Sequence, residues 1–202
     1  MRVAFAGSPD AAVPSLRALA ASRHEVALVV TQPDRPRGRS RRPDATPVAR
    51  AADDLGIPVL RPRSINDGDA VARLEEAAVR ALVVVAFGQI LREAVLGRWY
   101  CVNVHFSLLP AYRGAAPVER ALMDGVGRTG VTIMRMDAGL DTGPILRREA
   151  VDVAPDEDGG ALTARLARLG ARLLPAVLDD LEAGRLDETP QPEEGVSLAP
   201  RI

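Results

Sequence analysis

The chain has 202 residues, of which 47% are hydrophobic and 26% are charged, and its formal net charge at pH 7 is −1. This composition is typical of a globular protein with a sizeable core, and the balanced charge excludes an overall electrostatic attraction to nucleic acid, though not a local basic patch. The N-terminus lacks signal-peptide architecture, and no apolar run approaches the ~18 residues that a membrane helix needs. No membrane contact is therefore expected. The single cysteine, Cys101, cannot form an internal disulfide, so we expect a reduced thiol and an intracellular, cytoplasmic location.

The first part of the chain alternates strands and helices. An apolar strand at 2–6 precedes a turn and a helix at 11–22, and a second buried strand follows at 26–31. His24 is expected to be a solvated loop residue just before that second strand. The turn after the first strand lacks the glycine pattern G-x-G-x-x-G, so a nicotinamide cofactor is not expected.

Residues 32–46 form a segment rich in proline and arginine. Three prolines prevent a helix or a central strand there, which predicts an exposed and mobile basic loop. One interpretation is a merely solvated charged loop, but the density of arginine in an otherwise neutral chain favours contact with nucleic-acid phosphates. The loop contains no aromatic side chain, so contacts would be made to the nucleic-acid backbone rather than to bases. The candidate RNA-binding residues are Arg35, Arg37, Arg39, Arg41 and Arg42.

The alternation of strands and helices continues through most of the chain. It predicts an α/β fold, with an open, mostly parallel twisted sheet and helices on both faces. Ligands of such sheets bind outside the carboxyl ends of the strands, so the loops after the parallel strands are expected to share one rim. The predicted elements after residue 46 are helices at 48–55, 69–78 and 160–183, with a further helix starting at 116, and strands at 58–60, 81–87, 102–106, 130–136 and 145–153.

The last predicted helix, at 160–183, ends the regularly patterned part of the chain. Its leucines recur at helical spacing, and Pro175 is expected to kink or divide it. From residue 184 onward the chain is polar and contains prolines, without a further packed element. We therefore predict one domain at 1–184 and a linker or tail at 185–202.

Two polar side chains stand out in the predicted strand at 102–106. Asn103 and His105 are two residues apart, so they project from the same face of the strand, and Pro110 and Gly114 then turn the chain. An amide donor beside an imidazole at a strand end resembles half of an acyl-transfer site. The alternative is a pair of strand-end polar residues that bond to local backbone, and these residues alone leave both interpretations open.

A series of short motifs runs through nearly the whole chain. They are FAGSP at 5–9, QPDRP at 32–36, AFGQIL at 86–91, NVH at 103–105, SLLP at 107–110, YRGAAP at 112–117, GVTIM at 130–134 and MDAGLDTG at 136–143. In this order they resemble the catalytic domain of the methionyl-tRNA formyltransferases, within the wider family of formyltransferases and hydrolases that use 10-formyltetrahydrofolate. The resemblance implies a Rossmann-like formyltransferase fold for residues 1–184.

The resemblance also implies a catalytic set of Asn103, His105 and Asp141. A substrate amine would attack the formyl carbon carried on N10 of 10-formyltetrahydrofolate, and Asn103 would donate a hydrogen bond to the resulting oxyanion. His105 would donate to the same oxyanion or relay the proton, and Asp141 would orient His105. No metal is expected, and the apolar members of the implied folate site could equally be core residues. The implied cofactor-binding residues are Phe87, Gly88, Gln89, Ile90, Leu91, Ser107, Leu108, Leu109, Pro110, Asp137, Ala138, Gly139 and Leu140.

The implied reaction is transfer of the formyl group to the amino group of methionyl-tRNA, the step that prepares the initiator for translation. The implied partner is initiator methionyl-tRNA, with the arginine segment at its acceptor arm, and no obligate protein partner follows. Two alternatives stay open: an N-formyltransferase acting on a small amine such as an amino sugar, and a formyltetrahydrofolate hydrolase. Phe106 argues against the hydrolase, which normally carries an additional histidine there. The family's tRNA enzymes continue into a second domain that helps to hold tRNA. We expect that domain to be absent here and 185–202 to correspond to the linker, and two interpretations stay open, a catalytic fragment and a free-standing enzyme.

Overall fold

A computed structural model describes residues 1–36 and 43–202, apart from the side chains at 35, 36 and 43. The chain divides into two compact units, Met1–Cys101 and Val102–Ile202. In the described ranges no helix combines the length and the apolar character that crossing a bilayer requires.

The first unit is an alternation of strands and helices, as the sequence predicts. Its elements in chain order are β1 (Arg2–Gly7), a short 3-10 helix (Asp10–Ala12), α1 (Val13–Ala20), β2 (Glu25–Val30), β3 (Arg35–Pro36), β4 (Pro43–Asp44), α2 (Pro47–Asp54), β5 (Val59–Leu60), α3 (Gly68–Glu76), β6 (Ala81–Val85) and α4 (Glu93–Leu96), followed by β7 (Tyr100–His105), which leads into the second unit.

The strands of the first unit form a parallel sheet in the order β5-β2-β1-β6. Strands β1 and β6 are nearly continuous runs of buried apolar residues, the pattern of strands covered on both faces. The predicted α/β class with parallel strands is confirmed. Two-residue strands β3 and β4 pair with each other as a separate antiparallel ribbon. The large side chains fully buried in this unit are Phe5, Leu16, Leu19, Ile65, Leu74 and Leu82.

The prediction for His24 is wrong. The residue is buried, with only 4% of its surface exposed, and its Nδ1 lies 3.1 Å from the amino group of Met1. The cause is local pairing: the N–H of Glu25 donates to the carbonyl of Met1, which brings the chain start against the residue before β2. A single sequence gives no signal for such a terminal contact.

The second unit combines an antiparallel sheet with a long helix. After β7 it contains α5 (Pro117–Met123), β8 (Arg128–Arg135), β9 (Ile145–Asp152) and α6 (Gly159–Glu182), and the strands follow the order β7-β8-β9. Both strand pairs are antiparallel. In the register of β7 with β8, Asn103 is opposite Met134 and His105 is opposite Thr132, which fixes where the two polar side chains stand.

Helix α6 is continuous from Gly159 to Glu182, so Pro175 does not divide it. The Asp158 side chain caps its start by accepting a hydrogen bond from the N–H of Ala161 at 2.8 Å. The helix packs on β8 and β9. The large side chains fully buried in this unit include Leu109, Ile133, Met134, Leu162, Leu166 and Leu174.

The chain after α6 contains no further helix or strand in the described range, but it is bonded to the second unit. Thr189 and Ile145 exchange two backbone hydrogen bonds of 2.7 and 2.9 Å, and Ala199 is fully buried. Leu198 forms a parallel bridge with Arg113. The division into a domain at 1–184 and a tail at 185–202 stays a prediction, while the contacts of the tail are a feature that the sequence did not indicate.

Candidate active site

Strand β7 ends with the two polar side chains that the sequence singles out. His105 is 5% exposed and Asn103 is half-buried. Their spacing of two places both on one face of the strand, as predicted. The apolar residues between and before them are buried, so the strand is anchored by its other face.

Asp141 lies 38 positions beyond Asn103 in sequence and contacts the same two side chains. Its Oδ1 accepts a hydrogen bond from Nδ2 of Asn103 at 3.3 Å, and its Oδ2 lies 3.7 Å from Nδ1 of His105. The N–H of Gly114 donates to Oδ2 at 2.8 Å. The structure therefore brings Asn103, His105 and Asp141 together. It also supports part of the simpler interpretation, because His105 does bond to local backbone.

That backbone bond determines how the His105 ring is used. Its Nε2 lies 2.9 Å from the carbonyl oxygen of Tyr112, and a carbonyl can only accept, so Nε2 carries a proton. The other nitrogen, Nδ1, faces the Asp141 carboxylate at a distance beyond direct hydrogen bonding. Nδ1 is consequently the ring nitrogen placed to take up or release a proton next to a negative charge.

The turn after β7 holds the side chains of His105 and Asp141 through its backbone. Tyr112 and Gly114 have φ angles of 61° and 128°, so the carbonyl of the first reaches His105 and the N–H of the second reaches Asp141. A Cβ at Gly114 would lie 2.6 Å from the carbonyl oxygen of Ala199. Burial and a hydrogen bond to Asp124 raise the pKa of the Tyr112 hydroxyl to about 12, so this phenol stays neutral.

The segment 107–110, expected at the folate, is tightly bonded to its surroundings. The Thr132 hydroxyl donates to the carbonyl of Ser107 at 2.7 Å and accepts from the N–H of Leu109 at 3.0 Å. Arg148 donates to the Leu109 carbonyl at 2.9 Å, and the Leu109–Pro110 peptide bond is cis. The Leu109 side chain is fully buried core, whereas Leu108 is half-buried.

The acidic turn at 137–143, which contains Asp141, is stabilised by hydrogen bonds within the loop. The Asp137 carboxylate accepts from the N–H of Gly139 at 3.0 Å and from the hydroxyl of Thr142 at 2.6 Å. The loop exposes Leu140, which is 61% accessible. Asp141 itself has a φ of 51°, a left-handed conformation that aspartate and asparagine adopt more readily than other non-glycine residues.

The loop at 87–91 belongs to the first unit. Phe87 and Leu91 are buried, and Gln89 holds neighbouring backbone by accepting from the N–H of Ile65 at 2.7 Å. Ile90 is 79% exposed. It is therefore the large apolar side chain that this loop presents to solvent.

The arginine segment is only partly described. The backbone of Arg35 belongs to β3, opposite Asp44 of β4. Arg37, Arg39, Arg41 and Arg42 lie outside the described residues. The RNA-binding prediction thus stays a prediction.

Sequence reasoning missed two side chains that bond to the segments around the candidate active site. Thr132 holds the 107–109 backbone, and Gln191 donates to the carbonyls of Asp141 and Gly143 at 2.8 and 2.7 Å. Thr132 sits directly opposite His105, a register that strand pairing could have indicated. Gln191 lies in a stretch without periodicity, and the sequence gives no signal for its role.

Comparison with known proteins identifies one family. Residues 1–178 match the family model described as formyl transferase. Curated relatives named methionyl-tRNA formyltransferase come from Acidothermus cellulolyticus, which is 48% identical over this whole chain, and from Heliobacterium modesticaldum, which is 50% identical. This chain spans 63% and 64% of the lengths of those two relatives.

A solved structure shares the fold. The phosphoribosylglycinamide formyltransferase from Anaplasma phagocytophilum superposes with a TM-score of 0.78 over 100% of this chain and 99% of its own, at 22% identity. At that identity the likeness supports the fold alone, and it agrees with the α/β architecture described above.

Proposed function

The chain belongs to the formyl transferase family, and we propose that it transfers the formyl group of 10-formyltetrahydrofolate to the amino group of methionyl-tRNA. The observation that carries the proposal is the convergence of an amide, an imidazole and a carboxylate, with distances of 3.3 and 3.7 Å from Asp141 to Asn103 and His105. The acceptor is chosen because the relatives at about half identity over this whole chain are named methionyl-tRNA formyltransferase.

In the proposed reaction, the lone pair of the free amine attacks the formyl carbon and the carbonyl π electrons move to oxygen. One N–H of the Asn103 amide is directed at Asp141, and its second N–H would donate to this oxyanion. A single preorganised donor of this kind contributes roughly 3–4 kcal/mol to the transition state. The oxyanion then collapses, the bond from carbon to N10 breaks, and the formyl group remains on the acceptor nitrogen.

The proton balance assigns a task to His105. The acceptor amine loses one proton and N10 of the folate gains one. Nδ1 of His105 would carry that proton from one nitrogen to the other, since Nε2 is held by the Tyr112 carbonyl. Asp141 would stabilise the ring while it is positively charged.

We place the folate at residues 87–91, 107–110 and 137–140 as a proposal. Two separate observations support it: Ile90 of the 87–91 loop is a large apolar side chain exposed to solvent, and so is Leu140 of the 137–143 loop. Exposed apolar side chains of this size suit a flat aromatic ring. The bonded backbone of 107–109 gives a rigid loop to receive it.

We further propose that the arginines at 35, 37, 39, 41 and 42 bind the tRNA backbone. Replacing all five with glutamine is expected to weaken tRNA binding and to reduce the slope of log affinity against log salt by about 0.7–0.9 for each phosphate that an arginine had neutralised. An unchanged slope would contradict the proposal.

The experiment that tests the function uses labelled 10-formyltetrahydrofolate with methionyl-tRNA, with amino sugars, or with water alone. Formyl-methionyl-tRNA is the expected product. Formylation of an amino sugar instead, or release of formate without an acceptor, would replace the proposed reaction by one of the two alternatives. The variant His105→Ala is expected to lose transfer while it keeps its affinity for a folate analogue, and undiminished turnover would contradict the role of the ring.

A further inference from the structure

The C-terminal strap, residues 189–199, bonds to both backbone segments that hold the catalytic candidates. On one side, Ser197 accepts from the N–H groups of Tyr112 and Arg113 through its hydroxyl and its carbonyl, at 2.8 and 2.9 Å. On the other side, Thr189 pairs with Ile145, just beyond the loop of Asp141. The strap therefore joins the turn at 112–114 to the start of β9.

One side chain of the strap bridges the two segments directly. The NH2 group of Gln191 donates to the carbonyls of Asp141 and Gly143, at 2.8 and 2.7 Å. Its Oε1 accepts from Nε and Nη2 of Arg113, at 3.1 and 2.8 Å. Both donors and both acceptor positions of the amide are thus used, which fixes its orientation.

The hydrogen bonds of Gln191 bear on the geometry of Asp141. Asp141 has a left-handed φ of 51°, which the surrounding structure must maintain. Its carboxylate is held by the N–H of Gly114, the residue that follows Arg113. Gln191 holds Asp141 by its carbonyl and Arg113 by its guanidinium, so it sets the spacing of the two segments across which the carboxylate is bound.

We propose that Gln191 is a positioning residue for the reaction: it holds the Asp141 backbone so that the carboxylate stays against His105 and Asn103. The kinetic test of this inference rests on the proposed function, whereas the hydrogen bonds of Gln191 do not depend on it. Gln191 touches no reacting atom in this scheme and acts through Asp141. A misplacement of about 1 Å in a catalytic group can cost about a hundredfold in rate.

The test compares two replacements in the otherwise intact protein. Gln191→Met keeps the length of the side chain and removes every hydrogen bond without adding charge. Gln191→Glu keeps an acceptor for Arg113 and removes the two donations to the Asp141 loop. Because both variants lose those donations, their shared effect reports the role of the amide NH2. Glu188→Gln is the control. Glu188 lies three residues before Gln191, and its replacement breaks the 3.0 Å ion pair with Arg135 without changing a residue that is bonded to Asp141.

Both variants are expected to lower kcat about ten- to a hundredfold, with KM for the folate and for the acceptor within about threefold. The protein is expected to fold still, at a melting temperature lowered by the lost hydrogen bonds. The amide resonance of Gly114 in NMR spectra should shift in both, because its acceptor moves, whereas Glu188→Gln should leave rate and resonance as in the wild type. A wild-type kcat, or an unshifted Gly114 resonance, would overturn the inference. Loss of the fold in both variants would overturn it too, because Gln191 would then stabilise the fold generally.

The outcomes separate this inference from the proposed function. If the wild-type protein makes no formyl-methionyl-tRNA, the proposed acceptor is wrong, and the kinetic comparison is made with whichever amine or water accepts the formyl group. The Gly114 resonance tests the positioning of Asp141 without any reaction. A shifted resonance beside a failed tRNA assay therefore keeps the inference and rejects the acceptor.

Discussion

Replacement of Asp141 by asparagine removes one negative charge and one of the two oxygens that accept hydrogen bonds from Asn103 and Gly114, while the size of the side chain stays nearly unchanged. Asparagine, like aspartate, adopts the left-handed φ of 51° that this position requires, so the turn is expected to survive. The substitution removes the carboxylate 3.7 Å from Nδ1 of His105. Both side chains are largely buried, with 13% and 6% of their surfaces exposed, so solvent screens the interaction only weakly.

The size of the effect follows from Coulomb's law. At an effective dielectric constant of about 20, unit charges at this separation interact by about 4 kcal/mol. In the proposed mechanism the His105 ring carries a positive charge only while it holds the transferred proton. Losing the attraction of the Asp141 carboxylate therefore raises the free energy of the transition state. About 4 kcal/mol corresponds to a fall in kcat of about a thousandfold.

The assay is single-turnover formyl transfer by Asp141→Asn, with melting temperature measured in parallel. Asp180→Asn is the matched control. Asp180 lies in α6 and forms a 3.0 Å ion pair with Arg147, so the change also removes one negative charge from a paired carboxylate. A well-folded Asp141→Asn protein that retains more than about a tenth of the wild-type rate would refute the electrostatic reasoning.

Three further changes test the surroundings of the site. Gly114→Ala is expected to destabilise the fold by about 1–3 kcal/mol in denaturant titrations, since φ is 128° and the new methyl would meet the backbone of Ala199; wild-type stability would contradict this. Thr132→Val should lower the free energy of unfolding by about 1–3 kcal/mol, because the backbone groups of Ser107 and Leu109 lose their hydrogen-bond partner. It should also raise KM for the folate, and an unchanged KM would argue against folate binding by that loop. The pKa of Tyr112 is raised from 10.0 to about 12, so the stability that its neutral hydroxyl contributes is complete below about pH 10 and is lost as pH rises toward 12. Tyr112→Phe should therefore flatten the decline of melting temperature at alkaline pH. An identical decline in the variant would contradict the raised pKa.

The sequence predicted the strands and helices where burial imposes a regular pattern. The runs at β1 and β6 are apolar because those strands are buried, and the alternation in β7 placed Asn103 and His105 on one face. It could not predict contacts that depend on where distant segments meet. The burial of His24 against Met1 is such a case.

The candidate site was accessible to sequence reasoning to different degrees. Asn103 and His105 follow from strand periodicity, whereas Asp141 entered only through resemblance, since no local pattern links it to residues 38 positions earlier. Gln191 was missed because its role is to bond carbonyls, which any sequence offers at every position. A backbone partner leaves no mark in the amino-acid pattern.

The central claim is that Asn103, His105 and Asp141 act together on one formyl carbon. A crystal structure of the protein with a stable folate analogue that carries a formyl group tests it most directly, through the distances from that group to Asn103 and His105. The account predicts the formyl oxygen about 2.7–3.1 Å from the Asn103 amide nitrogen, with Nδ1 of His105 within reach of the departing nitrogen directly or through one water. A bound analogue whose formyl group lies away from both side chains would contradict it.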